Sequence, residues 1–70
     1  MIIATSEKLE VGKIYHPTII YDAAREAIPG QPIVVVRVAN EVEWMTDVMA
    51  KGYAPYRAPD ESNFYEIRTD

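Results

Sequence analysis

The sequence predicts one small α+β domain over residues 1–70, with a mostly antiparallel sheet of three or four strands and one main helix packed on one face. Two segments carry this prediction. Residues 32–39, PIVVVRVA, are rich in β-branched side chains, and residues 40–52, NEVEWMTDVMAKG, show helical spacing with capping signals at both ends. Seventy residues without a linker or an internal repeat suffice for a single domain only.

Short apolar or alternating segments predict the remaining strands. The run MIIA at 1–4 predicts a first strand, and SEKLEVGK at 6–13 predicts a turn or loop. The segment IYHPTIIY at 14–21 suits an extended chain. Because Pro17 cannot donate a ladder hydrogen bond, this strand is expected at an edge, bulged, or ending there. The alternation in NFYEIRT at 63–69 predicts a final strand.

The segment between the second and third strands has two interpretations. In TIIYDAAREAI the apolar residues have helical spacing, Thr18 is a candidate N-cap, and PG at 29–30 would end the helix. A short helix over about 21–28 is therefore predicted, with a continued strand over 18–28 as the alternative.

Residues 32–39 lack alternation, which predicts burial on both faces and a central place in the sheet. Arg37 interrupts this apolar run. It is expected either to form a structural ion pair, with Glu66 or Glu43 as candidate partners, or to anchor a ligand through the bidentate fork of its guanidinium.

The main helix, about 40–51, has recognisable ends. Asn40 followed by Glu43 three residues later forms a capping-box pattern. Gly52 stands where a left-handed residue closes a helix, and Lys51 complements the negative end of the helix dipole.

An apolar stripe along this helix is expected to form its main contact with the sheet. Its members are Val42, Met45 and Met49, widened by Trp44 and Val48. The opposite side would then carry Glu43, Thr46, Asp47 and Ala50. On this interpretation, an aspartate at position 45 would unfold the protein.

Composition limits the classes of function. Hydrophobic residues make up 49% and charged residues 26% of the chain, which is typical of a globular protein. Cysteine is absent, so disulfides and thiolate metal sites are absent too, and self-association is the remaining means of stabilising so short a chain. The net charge of −4 and the scattered basic residues disfavour direct binding to nucleic acid.

Neither a membrane span nor a secretory signal is expected from the sequence. No apolar run approaches the ~20 residues of a transmembrane helix. The start, MIIATSEKLE, lacks the basic flank and the long apolar region of a secretory signal. We therefore expect a cytoplasmic protein.

Three groups of residues are candidates for chemistry or binding. Glu43 and Asp47, one helical turn apart, would form an acidic surface that attracts a basic partner. Residues 51–61, KGYAPYRAPDE, contain Tyr53, Tyr56 and Arg57, which are residue types that dominate many protein interfaces. Tyr53 is expected to pack inward, and the other two are expected to be exposed.

The third group consists of Arg37 and His16, which would serve as ligand anchors. Histidine titrates near neutral pH, but no spacing in the sequence supplies His16 with an orienting carboxylate and a nucleophile. A surface histidine on an edge strand is therefore favoured. The sequence has no nucleotide-binding glycine pattern and no Ser-His-acid arrangement, and we expect neither a cofactor nor a metal.

The predicted function is a small acidic protein-interaction module of the accessory, inhibitor or adaptor type, such as phages and plasmids carry. It would bind and occlude another protein and would self-associate. The alternative is a small-molecule binder or minimal enzyme, with a pocket built from Arg37 and His16 at a subunit interface.

Overall fold

Four strands and one helix make up the part of the chain that the computed structural model describes, namely residues 1–16, 30–52 and 63–70. The elements in chain order are β1 (Ile2–Thr5), β2 (Ile14–Tyr15), β3 (Ile33–Ala39), α1 (Glu41–Ala50) and β4 (Asn63–Thr69). The strands form one sheet in the order β1-β4-β3-β2, with every neighbouring pair antiparallel. The predicted α+β fold is confirmed.

Strand β4 lies inside the sheet between β1 and β3. Its successive side chains point to opposite faces of the sheet and belong to two different apolar clusters. Phe64 belongs to the cluster beneath α1, on what we call the helix face of the sheet. Tyr65 and Ile67 belong to the cluster on the opposite face. Both faces of this sheet therefore contain buried apolar side chains, although the helix packs on one of them only.

The opposite face is covered in part by the loop between β1 and β2, which includes the predicted loop 6–13. Leu9 projects from this loop into the cluster and is buried. The hydroxyl of Tyr65 accepts a hydrogen bond from the backbone N–H of Leu9 at 2.9 Å. The hydroxyl of Tyr15 accepts one from the N–H of Glu10 at 2.8 Å, in a more exposed place. Two tyrosine hydroxyls thus hold the loop backbone against the sheet.

A β-bulge at Val36 changes which side chains of β3 face the helix. Val35 is paired with Ile67, whereas Arg37 is paired with Glu66, so Val36 is the extra residue. Before the bulge the odd-numbered side chains point to the opposite face; after it they point to the helix face. The bulge therefore places Arg37 on the same side of the sheet as α1.

The predicted ends of the helix are confirmed. The side-chain oxygen of Asn40 accepts a hydrogen bond from the N–H of Glu43 at 2.9 Å, and the Glu43 carboxylate accepts one from the N–H of Asn40 at 3.4 Å. Gly52 has φ +81°, the left-handed conformation that a side chain would strain. Helix α1 thus begins and ends where its sequence signals predict.

The predicted core stripe of the helix is confirmed for Trp44 and Val48 and wrong for Val42, Met45 and Met49. Trp44 and Val48 are the buried residues of α1, and Trp44 packs against Phe64 with ring centroids 5.9 Å apart. Val42 and Met49 are largely exposed, and Met45 is partly exposed. The helix is rotated so that its bulkiest side chain enters the sheet, because the Trp44 ring buries more area than a valine or a methionine. An aspartate at position 45 is accordingly no longer expected to unfold the protein.

Strand β3 is an inner strand, as predicted, but it is not buried on both faces. Ile33 and Val35 are buried against the opposite cluster, while Val36 and Val38 are exposed. Helix α1 packs over β1 and β4, where its cluster includes Ile2, Ala4 and Phe64, and it meets β3 at Ala39 and through the Arg37–Glu43 hydrogen bond.

Strands β1 and β2 are the two edge strands of the described sheet, and an edge position is one of those that Pro17 predicts for β2. Pro17 itself, the rest of the predicted strand 14–21 and the predicted helix 21–28 lie outside the described residues. Within the described residues, no helix combines the length and the apolar character needed to cross a bilayer.

Adjacent positions 48 and 49 provide a test of the helix rotation. We expect Val48→Gln to lower the free energy of unfolding by about 3 kcal/mol or more, because it buries an amide that has no partner. Met49→Gln should stay within about 0.5 kcal/mol of the wild type at high dilution, since that side chain is exposed. Urea unfolding followed by tryptophan fluorescence measures both, and equal losses would contradict the placement of α1.

The two tyrosine hydroxyls provide a second matched pair. Tyr65→Phe leaves the buried N–H of Leu9 without an acceptor and should cost about 1–3 kcal/mol. Tyr15→Phe exposes the N–H of Glu10 to water and should cost less than about 0.5 kcal/mol. Thermal unfolding distinguishes the two variants. If Tyr15→Phe lowers the free energy of unfolding as much as Tyr65→Phe does, burial of the N–H group does not determine the cost of losing its hydrogen bond.

Candidate interaction surface

Arg37 lies between two carboxylates, and both of its predicted candidate partners are present. Its terminal nitrogen donates a hydrogen bond to the Glu43 carboxylate at 2.7 Å, linking β3 to the first turn of α1. Its Nε lies 3.6 Å from the Glu66 carboxylate on the neighbouring strand. The guanidinium also lies 3.4 Å from the carbonyl oxygen of Val38, to which it donates.

This arrangement shifts the ionisation of both partners. The hydrogen bond from Arg37 lowers the pKa of Glu43 below its usual value of 4.5. The same hydrogen bond to Glu43 raises the pKa of Arg37, with the charge of Glu66 adding a smaller contribution. Both side chains are about two-fifths exposed, so the pair is held by geometry rather than by burial.

Asp47 forms an ion pair within the helix. Its carboxylate lies 3.1 Å from the ammonium of Lys51, one turn further along. The predicted acidic surface of Glu43 and Asp47 therefore exists on one side of α1, but each carboxylate is paired with a base of the same chain. The electrostatic field of this surface is therefore weaker than that of two unpaired carboxylates.

A groove of about 390 Å³ runs along this charged side of the helix. Ile2 and Arg37 contribute from the sheet, and α1 contributes the side chains of Val42, Glu43, Thr46, Asp47 and Ala50. The groove is open to solvent, and the guanidinium of Arg37, which lines it, is engaged by Glu43 and Glu66.

His16 does not line this groove. It follows directly after β2, whose Tyr15 is paired with Ile33 at the start of β3, and it is exposed. Arg37 lies four residues further along β3 than Ile33, which is roughly 13 Å at the rise of an extended strand. The two candidate ligand anchors thus do not converge on the groove that Arg37 lines.

The outer side of α1 presents apolar side chains to solvent. Val42 is 72% exposed, Met49 is 65% exposed and Met45 is 37% exposed. We call these three residues the outward stripe. They follow one another at i, i+3 and i+7, so they lie along one line of the helix. Contiguous exposed apolar side chains of this kind are typical of protein interaction sites.

Sequence reasoning found these residues but assigned them to the core. The signal that could have corrected the assignment is the number of apolar positions on α1. Trp44 and Val48 lie on one line of the helix and the outward stripe on another, and one flat contact with a sheet cannot bury both. Because the sheet buries the line of Trp44 and Val48, the second apolar line of this ten-residue helix stays exposed.

The remaining candidates are not placed by the structure. Tyr53, Tyr56 and Arg57 lie outside the described residues, so their roles stay predictions. Over the described ranges 1–16, 30–52 and 63–70, no cluster of three or more His, Cys, Asp or Glu side chains could hold a metal ion.

No family model, no curated protein and no solved structure matches this chain.

The ion pair of Glu43 predicts how stability depends on pH. Because the folded state lowers the pKa of Glu43, ionised Glu43 contributes stability at neutral pH, and this contribution is lost as the pH falls below about 4.5 through the folded-state value. Glu43→Gln keeps an acceptor for the N–H of Asn40 but cannot be charged.

We therefore expect Glu43→Gln to be less stable than the wild type at pH 7 and to approach it at pH 3. Chemical unfolding across this range measures the difference. As a control, Glu7→Gln changes a carboxyl outside the Arg37 pair. Its difference in stability from the wild type is not expected to shrink between pH 7 and pH 3. A Glu43→Gln difference that stays constant with pH would contradict the role of the ion pair.

Proposed function

We propose that this chain is a small protein-interaction module that binds another protein through the outward stripe of α1. The exposure of Val42, Met45 and Met49 on one line of a well-capped helix is the observation that supports it most directly. Exposed apolar area of this kind gains free energy when a partner removes it from water.

The side chains of the stripe suit such a role. Methionine is flexible and polarisable, so it adapts to the shape of a partner and is frequent at binding surfaces. The helix beneath it is held by its capping box and by the Arg37–Glu43 hydrogen bond, so little order is lost when a partner docks. A rigid helix with adaptable side chains is the combination that a binding surface needs.

The charges of the chain would then set selectivity rather than affinity. The net charge of −4 favours a partner with a basic surface and repels acidic ones. Glu43 and Asp47 lie on the same helix as the stripe. Because they are paired with Arg37 and Lys51, they would attract a basic partner only weakly. The proposal includes action by occlusion, as in an accessory, inhibitor or adaptor protein of the cytoplasm.

No observation favours the alternative, a small-molecule site built from Arg37 and His16. The guanidinium of Arg37 is engaged by two carboxylates of its own chain, and His16 lies away from the groove.

Site-directed photo-crosslinking tests the proposal. A photoreactive benzoyl-phenylalanine at position 49 should give a covalent adduct in cells that naturally make the protein, because the stripe would be in contact with its partner. Ile14 is the matched control, since it is 54% exposed and apolar but lies on edge strand β2.

Mass spectrometry then identifies the adduct, and a second substitution, Val42→Gln, should reduce its yield at least about tenfold by weakening the contact. An adduct of this kind at position 49 and none at position 14 supports the proposal. No adduct at position 49, equal adducts at both positions, or a yield that Val42→Gln leaves unchanged would overturn it.

A further inference from the structure

We propose that Met45 and Met49 are modification sites, at which a peroxide oxidises each thioether to a sulfoxide and so turns the outward stripe from apolar to polar. The oxidised chain would bind its partner less tightly, and binding would recover when the sulfoxides are reduced. This inference rests on the proposed function, because it names the regulation of the same surface.

The sulfur chemistry of this chain belongs to methionine alone. The sequence contains three methionines and no cysteine, so no thiolate of the chain competes for an oxidant. The one tryptophan, Trp44, is 1% exposed and is therefore out of reach of a dissolved oxidant. Two of the three thioethers lie in the outward stripe, and the third is that of Met1.

Both thioethers of the stripe are open to a dissolved oxidant. Met49 is 65% exposed and Met45 is 37% exposed, and they lie one helical turn apart on the same side of α1. The buried residues of α1 are Trp44 and Val48, which pack in the cluster beneath the helix. A peroxide therefore reaches both sulfur atoms without any opening of the fold.

The reaction is a two-electron oxidation of sulfur. A lone pair of the thioether attacks one oxygen of hydrogen peroxide, and the S–O bond forms as the O–O bond breaks. The leaving hydroxide takes the proton of the transferred oxygen and becomes water, so the peroxide is reduced as the sulfur is oxidised. Methionine sulfoxide reductases reverse the change, with one enzyme for each sulfoxide epimer.

Two sulfoxides on one line of the helix change what the stripe can bind. An apolar side chain gains free energy when a partner removes it from water, whereas a sulfoxide buried against an apolar surface loses its hydrogen bonds to water. The contact between Trp44 and Phe64 lies beneath the helix and does not involve the stripe. Oxidation therefore alters the binding surface and leaves the helix that presents it folded.

Peptide mapping after timed exposure of the purified protein to hydrogen peroxide tests the modification. We expect Met49 to react faster than Met45, in line with its exposure, and both to react within about tenfold of their rates in the urea-unfolded chain. Circular dichroism should show an unchanged helix. A slower reaction, the reverse order, or loss of helix as the sulfoxides form would overturn the inference.

Photo-crosslinking from position 42 tests the effect on binding. Purified protein with benzoyl-phenylalanine at that position is treated with peroxide, the peroxide is destroyed with catalase, and the protein is added to a desalted extract of cells that naturally make it. Mass spectrometry identifies the adduct. We expect oxidation to lower its yield at least about fivefold, and prior treatment with both sulfoxide reductases to restore it.

Met45→Leu/Met49→Leu is the matched control for the second experiment. Leucine keeps an apolar side chain of similar volume and has no sulfur to oxidise. The adduct yield of this variant should therefore be the same before and after peroxide. A fall as large as that of the unsubstituted stripe would show that oxidation acts elsewhere in the chain, and the inference would be wrong.

The outcomes separate this inference from the proposed function. An identified adduct whose yield falls on oxidation, recovers on reduction and resists peroxide in the leucine variant supports both. If the untreated protein captures a partner and oxidation leaves the yield unchanged, the inference fails and the proposed function stands. If the untreated protein captures nothing, the proposed function and its regulation fall together.

Discussion

Val36 inserts one extra residue into β3 opposite β4, and the position of the helix depends on this insertion. The bulge turns Arg37 toward the helix face, where its guanidinium hydrogen-bonds Glu43 and pairs with Glu66. Without the extra residue, Arg37 would share a face with Ile33 and Val35 and would bury its charge among apolar side chains. The bulge therefore makes a charged residue compatible with an inner strand.

The contact between Arg37 and Glu43 also fits the rotation of α1 that buries Trp44. Glu43 is the third residue of the helix and belongs to its capping box, so holding it toward the sheet holds the whole first turn. Its neighbour Trp44 then enters the cluster with Phe64, and Val48 follows one turn later. The same rotation turns the line of Val42, Met45 and Met49 outward, which is why an apolar stripe is exposed to solvent.

Elements with a strong local signal were predictable from the sequence. The capping pattern of Asn40 and Glu43, the glycine after the helix and the β-branched run 33–39 each specify local backbone structure without help from the rest of the chain. The partners of Arg37 were predictable as residue types, because a charge on an inner strand needs a carboxylate. The bulge was not predictable, because nothing in the segment IVVVRVA indicates which residue has no partner on β4.

The sequence by itself determined that the chain forms a small, mostly antiparallel α+β domain, that its main helix covers about 40–51, and which apolar side chains this helix carries. Only the tertiary structure decided which of them enter the core. Helical periodicity reports which residues share a line but not which line faces the sheet. That choice was made by a bulge, an ion pair and the area of one indole ring, all of which are contacts between distant segments.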